Sequence, residues 1–354
     1  MNVLSLFDGM SCGQIALNRA GMEYNNYYAS EIDKHAIKVA NHNYPNTIQI
    51  GSVLDVKGSN LPKIDLLIGG SPCQGFSFSG KQLNFEDPRS KLFFEYVRLL
   101  KECEPKYFLL ENVVMKKEYQ DVISEHLGVE PILINSSLVS AQNRQRLYWT
   151  NIPNIQQPDD KNINLVDILE DDVMIGPSAI RGRRLNKATI LGRRLDDNGI
   201  RKDYDKDVPM SQCLEVRATN RNKSNCLTTV AKDNVLTTMP VGRHPDAFKL
   251  QLPFRYFNTG FTTLIFKSKE HYEELKKHFD VNFKGKSAAE IDELSKGMDL
   301  SVYSGVRYMN NREREFCQTV PSGYTDNLTQ NEAACILGDG WTVDVIAHIF
   351  KGLK

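Results

Sequence analysis

The segment "VLSLFDGMSCGQIALNRAG", Val3 to Gly21, decides the fold class. Its apolar run ends at Phe7, a turn with Gly9 and Gly13 follows, and a helical pattern continues until Gly21. Strand, glycine turn and helix N-terminus together can cradle a nucleotide or cofactor, because glycine allows close approach and free helix amides face the ligand. The turn is neither GxGxxG nor followed by a P-loop lysine, so a plain strand-to-helix turn fits these residues equally well.

Working outward, six further apolar runs read as strands: "YYASEI" (27–32), "IQIGSV" (48–53), "IDLLIGG" (64–70), "YFLLENV" (107–113), "PILINSSLV" (131–139) and "RLYWTNI" (146–152). Between them "SKLFFEYVRLLKECEP" (90–105) places Leu92, Phe93, Tyr96, Val97, Leu100 and Cys103 on one helical face, and Pro105 stops it. Strands alternating with helices predict an α/β fold: a doubly wound, mostly parallel sheet covered on both faces.

After Asn151 the pattern breaks into "PNIQQPDDKN" and then a basic region with extended stretches such as "CLEVRA" and "NCLTTVAKDNVLTT". This predicts a catalytic and cofactor-binding domain over 1–175, a smaller domain of strands and loops over 176–304, and a C-terminal segment, 305–354, returning to the first domain. "RGRRLN" and "LGRRLDDNG" echo each other as a hairpin or basic loop. Residues 262–304 read as a helical insertion, with one helix around "SKEHYEELKKHF" and another begun by the capping box Ser287 to Glu290.

The 354 residues are 41% hydrophobic and 25% charged, with zero formal net charge. Arg181 to Arg255 nevertheless holds 16 Lys and Arg against 8 Asp and Glu, which points to a polyanion partner or to a soluble loop-rich insert. The start "MNVLSLFDGM" has no basic leader, and no window reads as the ~20 apolar residues of a membrane span. Seven cysteines without CxxC pairs suit a reducing compartment, with neither a disulfide framework nor a metal site expected.

Chemistry-bearing residues fall at strand ends. Glu31 closes the second strand where doubly wound folds hold an acidic residue against ribose hydroxyls. Cys73, in "GGSPCQGFS", follows the fourth strand at the ligand-binding edge. It is either an inert cysteine or a nucleophile whose thiol needs a polar or positive surrounding. Glu111 and Asn112 close the fifth strand, and "SAQNRQRLYW" alternates Gln142, Arg144 and Arg146 so that the three point to one face. The two arginines serve either in structural ion pairs or in the chemistry.

In order, "DGMSCG", "GGSPCQGFS", "ENV", "QNRQR", a variable basic region, "RYMNNREREFCQTVPSGYTD" and "GDGWTVDVIAHI" resemble the cytosine carbon-5 DNA methyltransferases. Parts are similar to the animal de novo branch, while "PCQGFS" is closer to bacterial and phage enzymes. The resemblance implies an S-adenosylmethionine-dependent, Rossmann-like methyltransferase fold and a target recognition domain. It also implies methyl transfer to carbon 5 of a flipped-out cytosine in a specific duplex sequence. A relative acting on transfer RNA, and a catalytically silent DNA-binding relative, are the alternatives.

Residue by residue, the resemblance implies a nucleophile at Cys73, contact of Glu111 with the cytosine ring, and adduct stabilisation and loop ordering by Arg144 and Arg146. The loop from Phe76 to Pro88 would close over the target. For S-adenosylmethionine, with S-adenosylhomocysteine as product, it implies Phe7, Asp8, Gly9, Ser11, Cys12 and Gly13 in the first motif. Glu31, Ile32, Ser52 and Val53 would follow on the ribose and adenine side. Pro72 and Leu92 would line the methionine end, and Asp339, Gly340, Trp341 and Val343 would return from the C-terminus. Ser52 stands where the family often has an aspartate, so either Ser52 or Asp55 meets the adenine. "GDG" and "RYMNN" also depart from the usual motifs. Arg217, Arg221, Lys223, Thr228 and Thr229 are the implied DNA contacts, mostly to phosphate. A cytoplasmic, nucleoid-associated monomer acting on double-stranded DNA, with a cognate restriction endonuclease as candidate partner, completes the expectation.

Overall fold

The computed structural model describes residues 1–71, 91–169, 186–194, 205–216, 223–229, 234–237, 242–244, 262–265, 269–282 and 304–353, with 196, 202, 285, 286, 290 and 294 between them. Seven strands form the large sheet: β1 (Asn2–Leu6), β2 (Asn26–Ser30), β3 (Ile48–Gln49), β4 (Leu66–Gly69), β5 (Tyr107–Val113), β6 (Ile132–Asn135) and β7 (Gln145–Thr150). Their order is β3-β2-β1-β4-β5-β7-β6, and β7 runs antiparallel to both of its neighbours. The helices between them are α1 (Cys12–Arg19), α2 (Lys34–Asn43), α3 (Lys91–Cys103) and α4 (Lys117–Leu127).

Both faces of the sheet are apolar, so consecutive strand residues enter different cores. Val3, Leu66, Ile68 and Leu109 join one cluster, which includes Ile15 of α1. Leu4, Leu67, Phe108 and Leu110 join the other, with Phe93, Tyr96 and Val97 of α3. Trp149, fully buried, donates from Nε1 to Ser124 Oγ at 3.0 Å and fixes α4 to β7.

Six strands form a second, antiparallel sheet: β8 (Asn186–Arg194), β9 (Met210–Val216), β10 (Val235–Thr237), β11 (Gly242–His244), β12 (Thr262–Ile265) and β13 (Ser304–Tyr308), in the order β11-β9-β8-β10-β13-β12. Ala188, Ile190, Leu214, Val216 and Val235 make its small core. The run "LGRR" is therefore the end of β8, where Arg193 pairs with Glu215 at 3.2 Å. The expected insertion begins with a strand, β12, before α5 (Lys269–Asn282), and Ser287 of the expected capping box lies outside the described residues.

The chain returns through α6 (Asn311–Cys317), α7 (Gln330–Asp339) and α8 (Val343–Phe350). By composition Gln330–Phe350 is apolar enough for a membrane span, contrary to the sequence reading, but it is two helices broken at Gly340–Thr342 and largely buried. Helix α8 packs on α1, and Arg19 and Lys161 each meet Asp344 at 2.7 Å.

Candidate active site

The carboxyl ends of β1, β2, β4 and β5, with the turn between α7 and α8, enclose a cavity of about 540 Å³. Phe7, Gly9 and Ser11 take left-handed φ values of 56°, 58° and 61°, an unusual conformation for the two non-glycine residues. Asp8 sits inside this turn, where its carboxylate accepts from Tyr27 Oη at 2.7 Å and from Ser11 Oγ. Desolvation pushes the Asp8 carboxyl up to about 6. Glu31 joins this turn to the next one: Oε2 accepts from Gly9 N at 2.7 Å, while Oε1 accepts from Ile32 N at 2.7 Å and Asp33 N at 2.8 Å.

Phe7, Asp8, Gly9, Cys12, Glu31 and Ile32 line the cavity. Ser52, Val53, Leu92, Asp339, Gly340 and Trp341 complete the expected wall. Of the two residues considered for the adenine side, Ser52 lines the cavity and Asp55 does not. Burial pushes the Cys12 thiol up to about 12, so this side chain stays a neutral thiol. Three expected cofactor contacts lie off the cavity wall. Gly13 serves helix-to-sheet packing, since a Cβ there would lie 2.5 Å from Ile68 Cδ1 and from Tyr27 Oη. Ser11 is fully buried beneath the turn, and Val343 is a core residue of α8. Pro72 lies outside the described residues.

At the other end of the cavity, Arg146 Nε meets Glu111 Oε1 at 2.9 Å, with both side chains largely buried. Asn112 Nδ2 donates to Ser71 Oγ at 3.2 Å, anchoring the chain two residues before Cys73. Cys73 itself, with the loop expected from Phe76 to Pro88, lies outside the described residues. A Cβ on Gly70 would fall 2.9 Å from Trp341 Nε1 and 3.2 Å from Glu111 Oε2, so this position brings the two ends of the cavity together.

The two arginines share a face, both reaching Cys226 Sγ, at 3.3 Å from Arg144 and 3.8 Å from Arg146. Their other partners differ. Arg144 lines the cavity but donates to the carbonyls of Leu227 (2.9 Å), Gly338 (3.1 Å) and Gly340 (2.9 Å). It ties the cavity wall to the segment around Leu227, whereas Arg146 meets the Glu111 carboxylate.

Lys223, expected on DNA, is corrected. It is 8% exposed, and Nζ donates to the carbonyls of Ser140 at 3.0 Å and Ile163. Desolvation pulls its ammonium below the usual lysine range. Thr228 and Thr229 are exposed, whereas Arg217 and Arg221 lie outside the described residues. The sequence reading missed Asp33, Leu54 and Cys335 on the cavity wall. Asp33 carried a signal, an N-cap aspartate after a strand: it accepts from His35 N at 2.9 Å and Ala36 N at 2.8 Å. Also missed was Gln142 as a buried hub, donating to Cys317 O and Gln318 Oε1 and accepting from Leu227 N.

A profile of the C-5 cytosine-specific DNA methylase family matches residues 1–354. The chain belongs to that family. Among relatives of this methylase-family chain, the orphan methyltransferase M.Rho11sI of Bacillus phage rho11s is 40% identical over 164 residues, 42% of this chain and 32% of the relative. The type II methyltransferase M.NgoBV of Neisseria gonorrhoeae is 28% identical over 269 residues, 65% of this chain and 64% of the relative. The match thus spans about a third of the length of the phage relatives. Among solved structures, the Entamoeba histolytica methyltransferase EhMeth superposes with a TM-score of 0.59 at 17% identity, covering 100% of this chain and 99% of that one. A Spodoptera frugiperda DNMT2 mutant gives 0.55 at 17% identity, covering 99% of each. The fold is that of the S-adenosylmethionine-dependent methyltransferases.

Family and fold imply S-adenosylmethionine as cofactor, and the residues present fit it. The cavity is of small-molecule size. Glu31 offers carboxylate oxygens at the end of β2, Ile32 and Leu92 offer apolar wall, and acidic side chains outnumber basic ones, as suits a cation.

Proposed function

We propose that the chain transfers a methyl group from S-adenosylmethionine to carbon 5 of a cytosine flipped out of duplex DNA. The observation that carries this reading is the Glu111–Arg146 pair at 2.9 Å on the wall of the cavity that also contains the Gly9 turn. The bound cofactor supplies an electrophilic methyl group on a sulfonium.

The chain's own residues supply the rest. Cys73, two residues beyond the anchored Ser71, adds as thiolate to carbon 6, and the displaced electron pair makes carbon 5 nucleophilic. Glu111, held by Arg146, faces ring nitrogen 3 and the exocyclic amine, where charge develops. After transfer a base takes the carbon-5 proton and the thiolate leaves, restoring the ring.

Duplex DNA as substrate is supported by the basic segment that follows the catalytic sheet and by the exposed Thr228 and Thr229. We place the protein with cytoplasmic, nucleoid DNA, and the type II names of its relatives support a cognate endonuclease. The test is covalent trapping on duplex DNA containing 5-fluorocytosine, with a matched RNA beside it. A complex is expected with DNA and none with Cys73→Ser, which should still bind S-adenosylmethionine. Trapping by Cys73→Ser would remove the nucleophile, and trapping on RNA alone would change the substrate.

A further inference from the structure

Gln142 alternates with Arg144 and Arg146 along the chain, yet it lies off the cavity wall and takes no part in the chemistry above. Its amide is fully buried and engaged at both ends. Nε2 donates to Cys317 O at 2.6 Å and to Gln318 Oε1 at 2.8 Å, and Oε1 accepts from Leu227 N at 3.2 Å. A turned amide would set one N–H against another, so these partners fix a single orientation.

The bonds form one side of a closed ring. Gln318 Nε2 donates onward to Gly340 O at 3.1 Å, Arg144 Nη2 donates to the same carbonyl at 2.9 Å, and Arg144 Nη1 returns to Leu227 O at 2.9 Å. Leu227 is therefore held at its N–H by Gln142 and at its carbonyl by Arg144. Gly340 lines the cavity, whereas Leu227 is followed by the exposed Thr228 and Thr229.

Backbone contacts hold the same segment three residues earlier. Ser224 N donates to Ala141 O at 2.7 Å, and Ser224 O accepts from Asn143 N at 3.1 Å, on either side of Gln142. Tied at Ser224 alone the segment could pivot; the second tie at Leu227 gives it a direction. Beyond that tie the backbone of Thr228 and Thr229 rests on Gly338, where any Cβ would overlap it. Between the ties, Cys226 Sγ lies 3.8 Å from Arg146 Nη2, so a shift of the segment also reaches the Glu111–Arg146 pair.

Resting on the methyltransferase reading above, we propose that Gln142 is a positioning residue: through Leu227 it sets the register of Thr228 and Thr229 against the cavity, and so the place at which DNA presents its base. Without the Gln142 amide, Arg144 still holds Leu227 O and Gln318 still holds Gly340 O. The segment stays attached and the cofactor wall stays built, while the register is lost.

The experiment uses the full chain and measures methyl transfer from S-adenosylmethionine to unmethylated phage DNA, with S-adenosylhomocysteine affinity measured by calorimetry without DNA. Gln142→Met removes the acceptor for Leu227 N, and kcat/KM for DNA should fall by roughly ten- to hundredfold. Its S-adenosylhomocysteine affinity should stay within about twofold, which also reports that the variant is folded. Gln142→Glu keeps that acceptor and loses the donors to Cys317 and Gln318, so it should recover most of kcat/KM without recovering stability. Ser136→Ala breaks the 2.8 Å bond from Ser136 Oγ to Thr342 Oγ1 in the same buried network without touching Leu227, and should lower stability with kcat and KM unchanged. An unchanged kcat/KM in Gln142→Met, equal losses in Gln142→Met and Gln142→Glu, or losses that follow thermal stability through all three variants overturn the proposal. If Gln142→Met does not fold, Gln142→Ala leaves room for water at the stranded groups and carries the same expectation. Absence of transfer by wild type would instead overturn the methyltransferase reading, and this inference with it.

Discussion

Arg146 reaches diagonally across the antiparallel β5–β7 pair to Glu111: in register it faces Val113, two residues along the same face, and its Nε ends 2.9 Å from Glu111 Oε1. The side chains are 14% and 11% exposed, so the pair is largely shielded from water. Glu111→Gln weakens the hold on the guanidinium and removes a carboxylate from the cavity wall. Stability should fall by about 1–3 kcal/mol, and kcat/KM by about a hundredfold or more, with cofactor affinity retained. Thermal unfolding and steady-state methyl transfer check both parts. Loss of stability without the larger loss of rate would make the pair purely structural.

Lys223 has a different expected phenotype from a DNA-contacting lysine. With Nζ donating to the carbonyls of Ser140 and Ile163, Lys223→Met strands two acceptors inside the protein. Stability should drop by about 1–3 kcal/mol. The slope of log affinity for DNA against log salt should stay that of wild type, because no phosphate contact is lost. A slope reduced by about one would return Lys223 to the interface.

These two residues show what could be read in the sequence. The central strands of the large sheet were legible because a strand buried on both faces leaves a continuous apolar run, and the runs at 64–70 and 107–113 contain β4 and β5. Ends were less legible. "PILINSSLV" stops being strand at Asn135, whose Oδ1 accepts from Ser137 N and turns the chain. Glu111 and Arg146 were visible as strand-end residues of the right chemistry. The packing of Lys223 and Gly13 was not legible because it depends on distant partners: charge does not show that Ser140 and Ile163 enclose an ammonium, and glycine spacing does not distinguish approach to a ligand from approach to Ile68.

Asp8 makes stability depend on pH in an uncommon direction. Its folded value of about 6 lies above the ordinary 3.8, so between these values the folded state binds more protons than the unfolded state. The contribution of this group to stability is therefore greatest below the unfolded value and is lost as pH rises through about 6. Asp8→Asn keeps an oxygen for Tyr27 and an amide for Ser11. It should stabilise the fold above pH ~6, by at most roughly 3 kcal/mol, and little below pH ~4. Urea unfolding of both proteins across this range tests it, and a difference constant with pH would contradict the assignment.

Gly70 gives the most localised prediction. A Cβ there would meet Trp341 Nε1 at 2.9 Å and Glu111 Oε2 at 3.2 Å, so Gly70→Ala must displace the indole, the carboxylate or both. The strand before it, β4, is buried and cannot yield easily. Cofactor affinity should fall by about tenfold, and kcat as well if Glu111 moves, while overpacking costs about 1–3 kcal/mol of stability. The chain has two tryptophans, and Trp149 is buried away from the cavity against Ser124, so a change in emission on substitution reports Trp341. Gly13→Ala is the control: its Cβ would meet Ile68 and Tyr27, so it should lower stability while the affinity of the protein that remains folded is kept. If both variants lost affinity in proportion to stability, the cavity would owe its shape to the fold as a whole. Loss of affinity confined to Gly70→Ala would show that the missing side chain at this position is what lets Trp341 and Glu111 face one ligand.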